Sequence, residues 1–485
     1  MSDQKLSLAA LRPLAAALAA LSLLAACAPL PKLAEPARAY QGAELGLKDE
    51  SSAALTALHS DWWRAYGDAA LDALLERALA SHPSLAQAQA RIARAGAGIE
   101  NAQAADRPTV GVGADITRQR YTEHGLVPPP VAGSVRTSAN LQAGISYDWD
   151  FFGRHAAALQ AAVGQERAAQ ADAAAARLNL SSALVRSWLD LGRVLAQREL
   201  LAEQLRQGEQ SLALVRQRVQ AGLDNAPVQR SAELPLPELR RQDLALQAQA
   251  ELLRHQLAAL SAQPQEAVAA LQPRLPQALN LGSEGSLGVD LLGRRPDVVA
   301  ARWRVEAATQ GVAEARAQFY PNVNLTAFAG FNSLGLDQLL KSGSRQLGFG
   351  PSLRLPIFDT GRLRAQLKGN AAELDGAVAA YNGALLEALR EASDQLSLLD
   401  SLARQDAEQT QTVAHLQASR DLARQRYEAG LGNYLAVLSA EQNLLQQRRS
   451  QLELQAQRLG TQVALVRSLG GGWNEAAAPM AQAQR

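Results

Sequence analysis

Residues 83–108 and 296–321 are two versions of one segment, and that duplication restricts the chain to folds built from a repeated half. His82-Pro83-Ser84-Leu85 opens a run through Arg91 to Arg107-Pro108-Thr109-Val110. Arg295-Pro296-Asp297-Val298 opens one through Arg304 to Tyr320-Pro321-Asn322-Val323, at a constant offset of 213. A second match has an offset of 208. It sets Leu214 to Asn225 against Leu422 to Asn433, and Ser231-Ala232-Glu233 against Ser439-Ala440-Glu441. Solenoid repeats run about 20–50 residues. A period of about 210 residues instead means a duplicated half-molecule with pseudo-twofold logic.

Each half has a helical and a stranded texture. Residues 154–221 and 362–429 are rich in Ala, Leu, Gln, Arg and Glu, which favour helix, and contain no proline. Each run ends at a glycine, Gly222 or Gly430, as a helix C′ position favours. About 68 residues at 1.5 Å rise make a rod on the order of 100 Å long. Such rods must pack side by side with other helices. Return helices are expected over about 228–262 and 433–468. Only the first carries prolines, Pro227, Pro235 and Pro237, so the two should differ in bend.

Four short segments alternate with period two. Val110, Val112, Ala114 and Ile116 oppose Thr109, Gly111, Gly113, Asp115 and Thr117. Ala139, Leu141, Ala143, Ile145, Tyr147, Trp149 and Phe151 oppose Asn140, Gln142, Gly144, Ser146, Asp148 and Asp150. Val323, Leu325, Ala327, Ala329 and Phe331 oppose Asn322, Asn324, Thr326 and Gly330, with Phe328 breaking the polar face. Leu347, Phe349, Leu353, Leu355 and Ile357 oppose Gln346, Gly348, Gly350, Ser352 and Arg354. Runs of about 10 residues with one apolar face suit outer-membrane strands. The connections, Gln119 to Thr137 with Pro128-Pro129-Pro130 and Asn332 to Ser344, suit extracellular loops. Four strands cannot close a barrel, and an open edge in lipid leaves backbone groups unsatisfied. Two copies would give a barrel filled by side chains; three copies would leave a lumen.

The first 26 residues read as an export signal: Lys5 and Arg12, then an apolar run from Leu14 to Ala26 too short to span a bilayer as a helix. It ends at Leu24-Ala25-Ala26-Cys27, a lipoprotein cleavage box, and Cys27 is the chain's one cysteine. Lipidation of Cys27 (diacylglycerol and an N-acyl chain) is therefore expected. Ala28 follows, so the Asp that signals inner-membrane retention is absent. Without a second cysteine no intrachain disulfide can form, and stability must come from burial and oligomerisation. Losing residues 1–26 removes Asp3, Lys5 and Arg12 and leaves a formally neutral chain. Nucleic acid, which needs a basic surplus, is not an expected partner.

No catalytic pattern stands out. The histidines at 59, 82, 124, 155, 255 and 415 lack metal-ligand spacing, and no phosphate-cradling GxxxxGK loop occurs. Asp148 and Asp150 read as polar positions of a strand rather than a catalytic carboxylate pair. The chain is expected not to be an enzyme and to need no metal or cofactor beyond the covalent lipid.

The sequence resembles the TolC-like outer-membrane efflux proteins, in particular the lipoprotein subfamily of NodT or OprM type that serves RND tripartite pumps. The resemblance rests on the lipidation box, Asp61-Trp62-Trp63-Arg64-Ala65-Tyr66-Gly67-Asp68, Arg294-Arg295-Pro296-Asp297, Asp359-Thr360-Gly361-Arg362, and Arg426-Tyr427-Glu428-Ala429-Gly430 with Asn433-Tyr434-Leu435. It implies a mainly α fold with membrane β: a homotrimer whose twelve-stranded outer-membrane barrel, four strands per chain, continues into a periplasmic α-helical barrel with an equatorial belt. The segments that follow are a signal peptide (1–26), an N-terminal equatorial segment and first helix (27–107), strands one and two (108–151), periplasmic helices (152–262), an equatorial linker (263–293), the first helix of repeat two (294–320), strands three and four (321–358), periplasmic helices (359–469) and an equatorial tail (470–485). The resemblance implies a passive exit duct for small molecules. Its implied partners are a periplasmic membrane-fusion adaptor, an inner-membrane RND-type pump and outer-membrane lipid. A coiled-coil scaffold or adhesin, or a duct for type I secretion, are the alternatives.

By the same resemblance, Gly222, Leu223, Gly430 and Leu431 at the periplasmic tips would touch the adaptor. Tyr427, Leu435, Ser439 and Gln442 would form the periplasmic gate. Ser439 stands where relatives often carry Asp, and Gln442 where drug-pump lipoproteins often carry Arg. A charged Asp–Arg link across subunits is then unavailable, and the resting gate is expected to close by apolar packing at Tyr427 and Leu435 with weak cation selectivity.

Overall fold

The computed structural model describes residues 31, 33–45, 59–276, 293–356 and 359–475. Cys27, the signal segment, Ile357 and most of the 263–293 linker lie outside the described residues. The duplication is visible as a repeated order of elements. Repeat one runs α2 (Pro83–Ala105), β1 (Thr109–Arg120), β2 (Val135–Trp149) and α3 (Arg154–Gln220), after a leading α1 (Ala69–Ser81). Its return is split into α4 (Ala226–Glu233) and α5 (Pro235–Leu260). Repeat two runs α6 (Pro296–Ala317), β3 (Asn322–Leu334), β4 (Arg345–Arg354), α7 (Thr360–Glu428) and an unbroken return, α8 (Tyr434–Ser468). The proline asymmetry therefore acts at one point. Pro235 and Pro237 stand at the start of α5, where a proline costs no hydrogen bond, and Leu234 joins the two pieces.

Two compact units divide the chain. Of the described residues, one comprises those up to Arg38 with those in Ala93–Ala168 and Arg302–Ala380; the other holds those in Ala39–Ile92, Ala169–Ala301 and from Tyr381 onward. The first contains the sheet, ordered β1-β2-β3-β4 with every pair antiparallel. Its central pairing, β2 with β3, joins the two repeats: Ile145 opposes Ala327, and Trp149 opposes Val323. The apolar positions fall in register, Val110 against Ile145 and Ala327 against Phe349, so one face is apolar right across the sheet.

The strands depart from the sequence reading at their ends. β1 and β2 continue their ladder to Arg120 and Val135, and β3 continues to Leu334, so both connections are shorter than expected. Alternation fades there because polar side chains occupy both faces, while the backbone goes on pairing. Phe151 lies past the end of β2 in a turn and stacks on Trp149, ring centroids 5.4 Å apart. Leu355 lies past the end of β4. Pro351 sits inside β4 opposite Leu325, where it takes one amide donor out of the strand. In the same unit Val312 and Ala315 of α6, with Phe319 just past its end, pack on Leu363 and Leu367 of α7, and the Arg167 guanidinium lies 4.5 Å from the Trp303 ring centre.

The second unit holds the largest core. Trp62, Trp63 and the apolar face of α1 (Leu71, Leu74, Leu75, Ala78) pack against Leu184, Trp188 and Leu191 of α3, Leu257 of α5, and Leu459 and Val463 of α8. One carboxylate ties this core together. Asp68 caps α1 by accepting from the Ala70 and Leu71 amides at 3.0 and 3.2 Å, and its other oxygen accepts from Trp188 Nε1 at 3.0 Å. Burial raises the Tyr66 phenol above its usual range.

A second hub lies in repeat two. Arg295 is buried and pairs with Asp297 at 2.6 Å and Glu391 at 2.9 Å, and it donates to the carbonyl of Ser468, the last residue of α8, at 3.3 Å. Arg467 reaches the same Glu391 at 3.2 Å. Burial opposes ionisation of Asp297, but the Arg295 guanidinium and the Val298 amide hold its carboxyl below the usual range. Gly470, at φ +85°, lies so close that a Cβ there would sit 2.8 Å from the Arg294 carbonyl oxygen. At the matching place in repeat one, His82 Nδ1 accepts from the Ser84 amide at 3.2 Å beside the start of α2 and holds no such network.

Candidate functional site: helix tips, gate face and sheet edges

The two long helices end in the same hydrogen-bond pattern. In α3 the Leu223 amide donates to Arg218 O at 2.9 Å and the Gly222 amide to Val219 O at 3.0 Å. In α7 the Leu431 amide donates to Arg426 O at 2.8 Å and the Gly430 amide to Tyr427 O at 2.9 Å. This is the Schellman pattern. It needs a left-handed residue at C′, supplied by Gly222 at φ +70° and Gly430 at φ +74°. Asn225 and Asn433 then cap the return helices, accepting from the Val228 and Leu435 amides. The motif also presents one apolar side chain to solvent at each turn: Leu223 is 66% and Leu431 74% exposed.

The same frame is braced differently in the two repeats. Arg218 Nε meets Asp224 Oδ2 at 2.6 Å across the first turn, and hydrogen bonding from Arg218 lowers the Asp224 pKa. Glu233 of α4 is held by Gln229 at 3.0 Å and by Arg216 of α3 at 3.1 Å, which lower its pKa in turn. In repeat two Gly432 takes the place of Asp224, so Arg426 has no carboxylate at that position. Arg424, the counterpart of Arg216, pairs along its own helix with Glu428 at 3.0 Å. The second turn carries an aromatic contact instead: Tyr427 and Tyr434 lie 5.0 Å apart, tilted by 55°.

Leu435, Ser439 and Gln442 recur at i, i+4 and i+7 on α8 and form one exposed face. Val437 and Leu444, on the opposite side, are buried. Tyr427 is 42% exposed at the last turn of α7. All four expected gate residues thus lie at or near one tip, with their side chains available. Tyr434, the partner of Tyr427, stands in the Asn433-Tyr434-Leu435 motif but not among the expected gate residues; its signal is a tyrosine at both ends of a six-residue turn.

At the strand-to-helix junction the two carboxylates of Asp148-Trp149-Asp150 are already engaged. Asp148 Oδ2 pairs with Arg154 at 2.6 Å and accepts from Asn322 at 3.1 Å, while Asp150 accepts from the Ala156 amide at 3.0 Å in the first turn of α3. Phe152 stacks on Tyr320 at 4.7 Å, joining matching corners of the two repeats. Sequence spacing could not show these long-range pairs. Among the described residues no group of His, Cys, Asp or Glu is arranged to hold a metal ion. No helix among them is long and apolar enough to cross a membrane.

The sheet has two free edges. β1 and β4 each pair on one side only, and both present apolar side chains on the same face. Val110 and Val112 are each 74% exposed, and Phe349 is 89% exposed. A flat apolar edge of this length is a pairing site rather than a finished surface. These elements define one protomer's share of a channel: a few apolar-faced strands and two long helices whose closing turns are alike but differently braced.

The model of the outer membrane efflux protein family matches residues 74–272 and 287–471. The chain belongs to this family and is an efflux channel of the outer membrane. It is similar to the multidrug resistance outer membrane protein MdtP of Shigella flexneri, with 28% identity over 464 residues, 94% of this chain and 95% of MdtP. Among solved structures it is similar to the outer membrane protein VceC of Vibrio cholerae, with 34% identity and a TM-score of 0.78 over 86% of this chain and all of VceC. It is also similar to the outer-membrane channel OprN, with 27% identity and a TM-score of 0.77 over 92% of this chain.

Proposed function

We propose that three copies of this chain close a twelve-stranded outer-membrane barrel and serve as the passive exit duct of an RND-type tripartite pump. The carrying observation is the pair of free edges on a sheet with one continuous apolar face. Pairing β1 of one copy with β4 of the next removes every edge, which lipid requires, and three copies are the fewest that leave a lumen. The multidrug resistance name of MdtP supports small molecules as cargo. The mass of the detergent-solubilised particle tests this: a trimer is expected, and a monomer or dimer would contradict it.

A periplasmic adaptor and an inner-membrane pump complete the assembly. Leu223 and Leu431 are the adaptor contacts at the tips, because an apolar side chain held out at a turn gains by being covered. Gly222 and Gly430 shape those turns. Cysteines at 223 or 431 should crosslink to the adaptor in cells; crosslinks confined to the belt would contradict this docking. Cys27 is the lipid anchor, since two or more acyl chains hold a protein stably where one does not. Cys27→Ser should abolish palmitate labelling.

The gate belongs to repeat two. Its return helix presents Leu435, Ser439 and Gln442 together, and its turn lacks the ion pair that braces repeat one. In the resting trimer that face closes the tunnel by apolar packing at Leu435 and Tyr427, with neutral hydrogen bonding from Ser439 and Gln442. The pore is only weakly cation selective, because no acidic ring lines the constriction.

A further inference from the structure

The polar face of the sheet carries two hydrogen-bonded bands with a bare row between them. Toward the loops, Asn140 donates to Asp115 at 3.1 Å, and Gln346 donates to Asn140 at 2.8 Å and Gln142 at 3.3 Å. Toward the helices, Ser146 donates to Asn324 at 2.9 Å and Asn322 to Asp148 at 3.1 Å. Between these bands one row crosses all four strands: Gly111, Gly144, Phe328 and Gly348, paired in that order. The row carries no polar side chain. Its one side chain is a phenyl ring that reaches over the neighbouring strand. A Cβ at Gly348 would lie 2.6 Å from Phe328 Cζ, so the ring occupies the space that glycine leaves. Phe328 remains 37% exposed, and a Cβ at Gly111 would meet nothing within 4 Å.

We propose that Phe328 is a cargo-contacting residue, an aromatic platform inside the membrane barrel that takes planar aromatic or apolar parts of molecules in transit. This rests on the trimeric barrel, which makes the polar face lumenal. Threefold repetition then sets three phenyl rings at one depth, each flanked by glycines that leave its surface open. Elsewhere on this face a passing molecule meets mainly polar side chains, many of them hydrogen-bonded to one another, with Leu334 at the loop end of β3 as an aliphatic exception. At the glycine row it meets an aromatic ring seated against backbone and held ready for stacking. The same seat gives Phe328 a structural duty, covering a glycine that leaves backbone bare, so the test must separate the two roles.

The test is open-channel current through the wild-type trimer in a planar bilayer, with tryptophanamide added on the loop side as the aromatic probe and glycinamide as its non-aromatic match. Tryptophanamide should block reversibly. Phe328→Ala should weaken that block about threefold to tenfold, as the loss of one aromatic contact implies. Phe328→Trp should preserve the block, and any effect of glycinamide should be unchanged. Phe328→Leu keeps an apolar cover over Gly348 without a π-face, so it should fold and still weaken the block. Equal block in wild type, Phe328→Ala and Phe328→Leu would overturn the inference, as would a lowered melting temperature with unaltered block. Failure of the wild type to form a trimeric conducting channel would instead overturn the barrel reading, and the platform with it.

Discussion

The two helix-to-helix turns share one backbone and differ in almost everything attached to it. Both close with a left-handed glycine, a leucine and a capping asparagine. In repeat one the turn is cross-braced by Arg218–Asp224, Arg216 reaches across to Glu233, and the return helix breaks at Leu234. In repeat two Gly432 removes the brace, Arg424 pairs along its own helix, and the return runs unbroken from Tyr434 to Ser468. The far end of that unbroken helix is the better anchored one, because Arg295 holds its last carbonyl. Duplication supplied two equal arms. One arm carries an ion-pair brace at its tip, the other a buried ion-pair hub at its base.

The largest effect should come from the base. Arg295→Ala removes the buried guanidinium from Asp297 and Glu391; Arg467 still reaches Glu391 and Asp297 is half exposed, so the loss should be about 2–3 kcal/mol. His82→Ala, at the matching place in repeat one, should cost under about 1 kcal/mol. Thermal unfolding of the detergent-solubilised protein measures both; equal losses would erase the asymmetry. The depressed Asp297 carboxyl adds a pH signature. Its contribution is fully present above the unfolded carboxyl pKa near about 4 and disappears as pH falls through the lower folded value.

A smaller effect should be the same in both arms. Gly222→Ala and Gly430→Ala each force a left-handed alanine, costing about 1–2 kcal/mol. Unequal melting shifts would mean that one Schellman turn is not formed. The smallest effect separates the arms again. Asp224→Asn should loosen the first tip, read as faster motion of a spin label at 223, while a label at 431 stays unchanged. Because the Arg218 contact lowers the Asp224 pKa, the brace should persist down through the ordinary carboxylate range and be lost only as pH drops below it.

What was legible in the sequence follows the reach of each signal. The long helices, the C′ glycines and the paired strands were readable because composition, turn chemistry and period-two alternation act over a few neighbouring residues. Strand ends were misjudged where Arg118, Gln119 and Arg136 put polar groups on both faces while the ladder carried on. The Arg295 hub was visible only as a motif. Its partner Glu391 lies 96 residues away, and Trp188 lies 120 residues from Asp68. Nothing local announces either pairing. The gate residues were placed by resemblance, and their common exposed face on α8 became apparent only once Val437 and Leu444 were seen buried behind it.

The central claim, that one duplicated chain forms a trimeric duct whose second arm closes it, is tested most directly by resting conductance. Planar-bilayer recordings of Tyr427→Ala with Leu435→Ala should be compared with the matched pair in repeat one, Val219→Ala with Pro227→Ala. The account predicts a resting conductance several-fold above wild type for the first pair and no change for the second, with weak cation selectivity throughout. Unchanged conductance in the first pair, an equal rise in both, or strong cation selectivity that survives Glu441→Gln would contradict it.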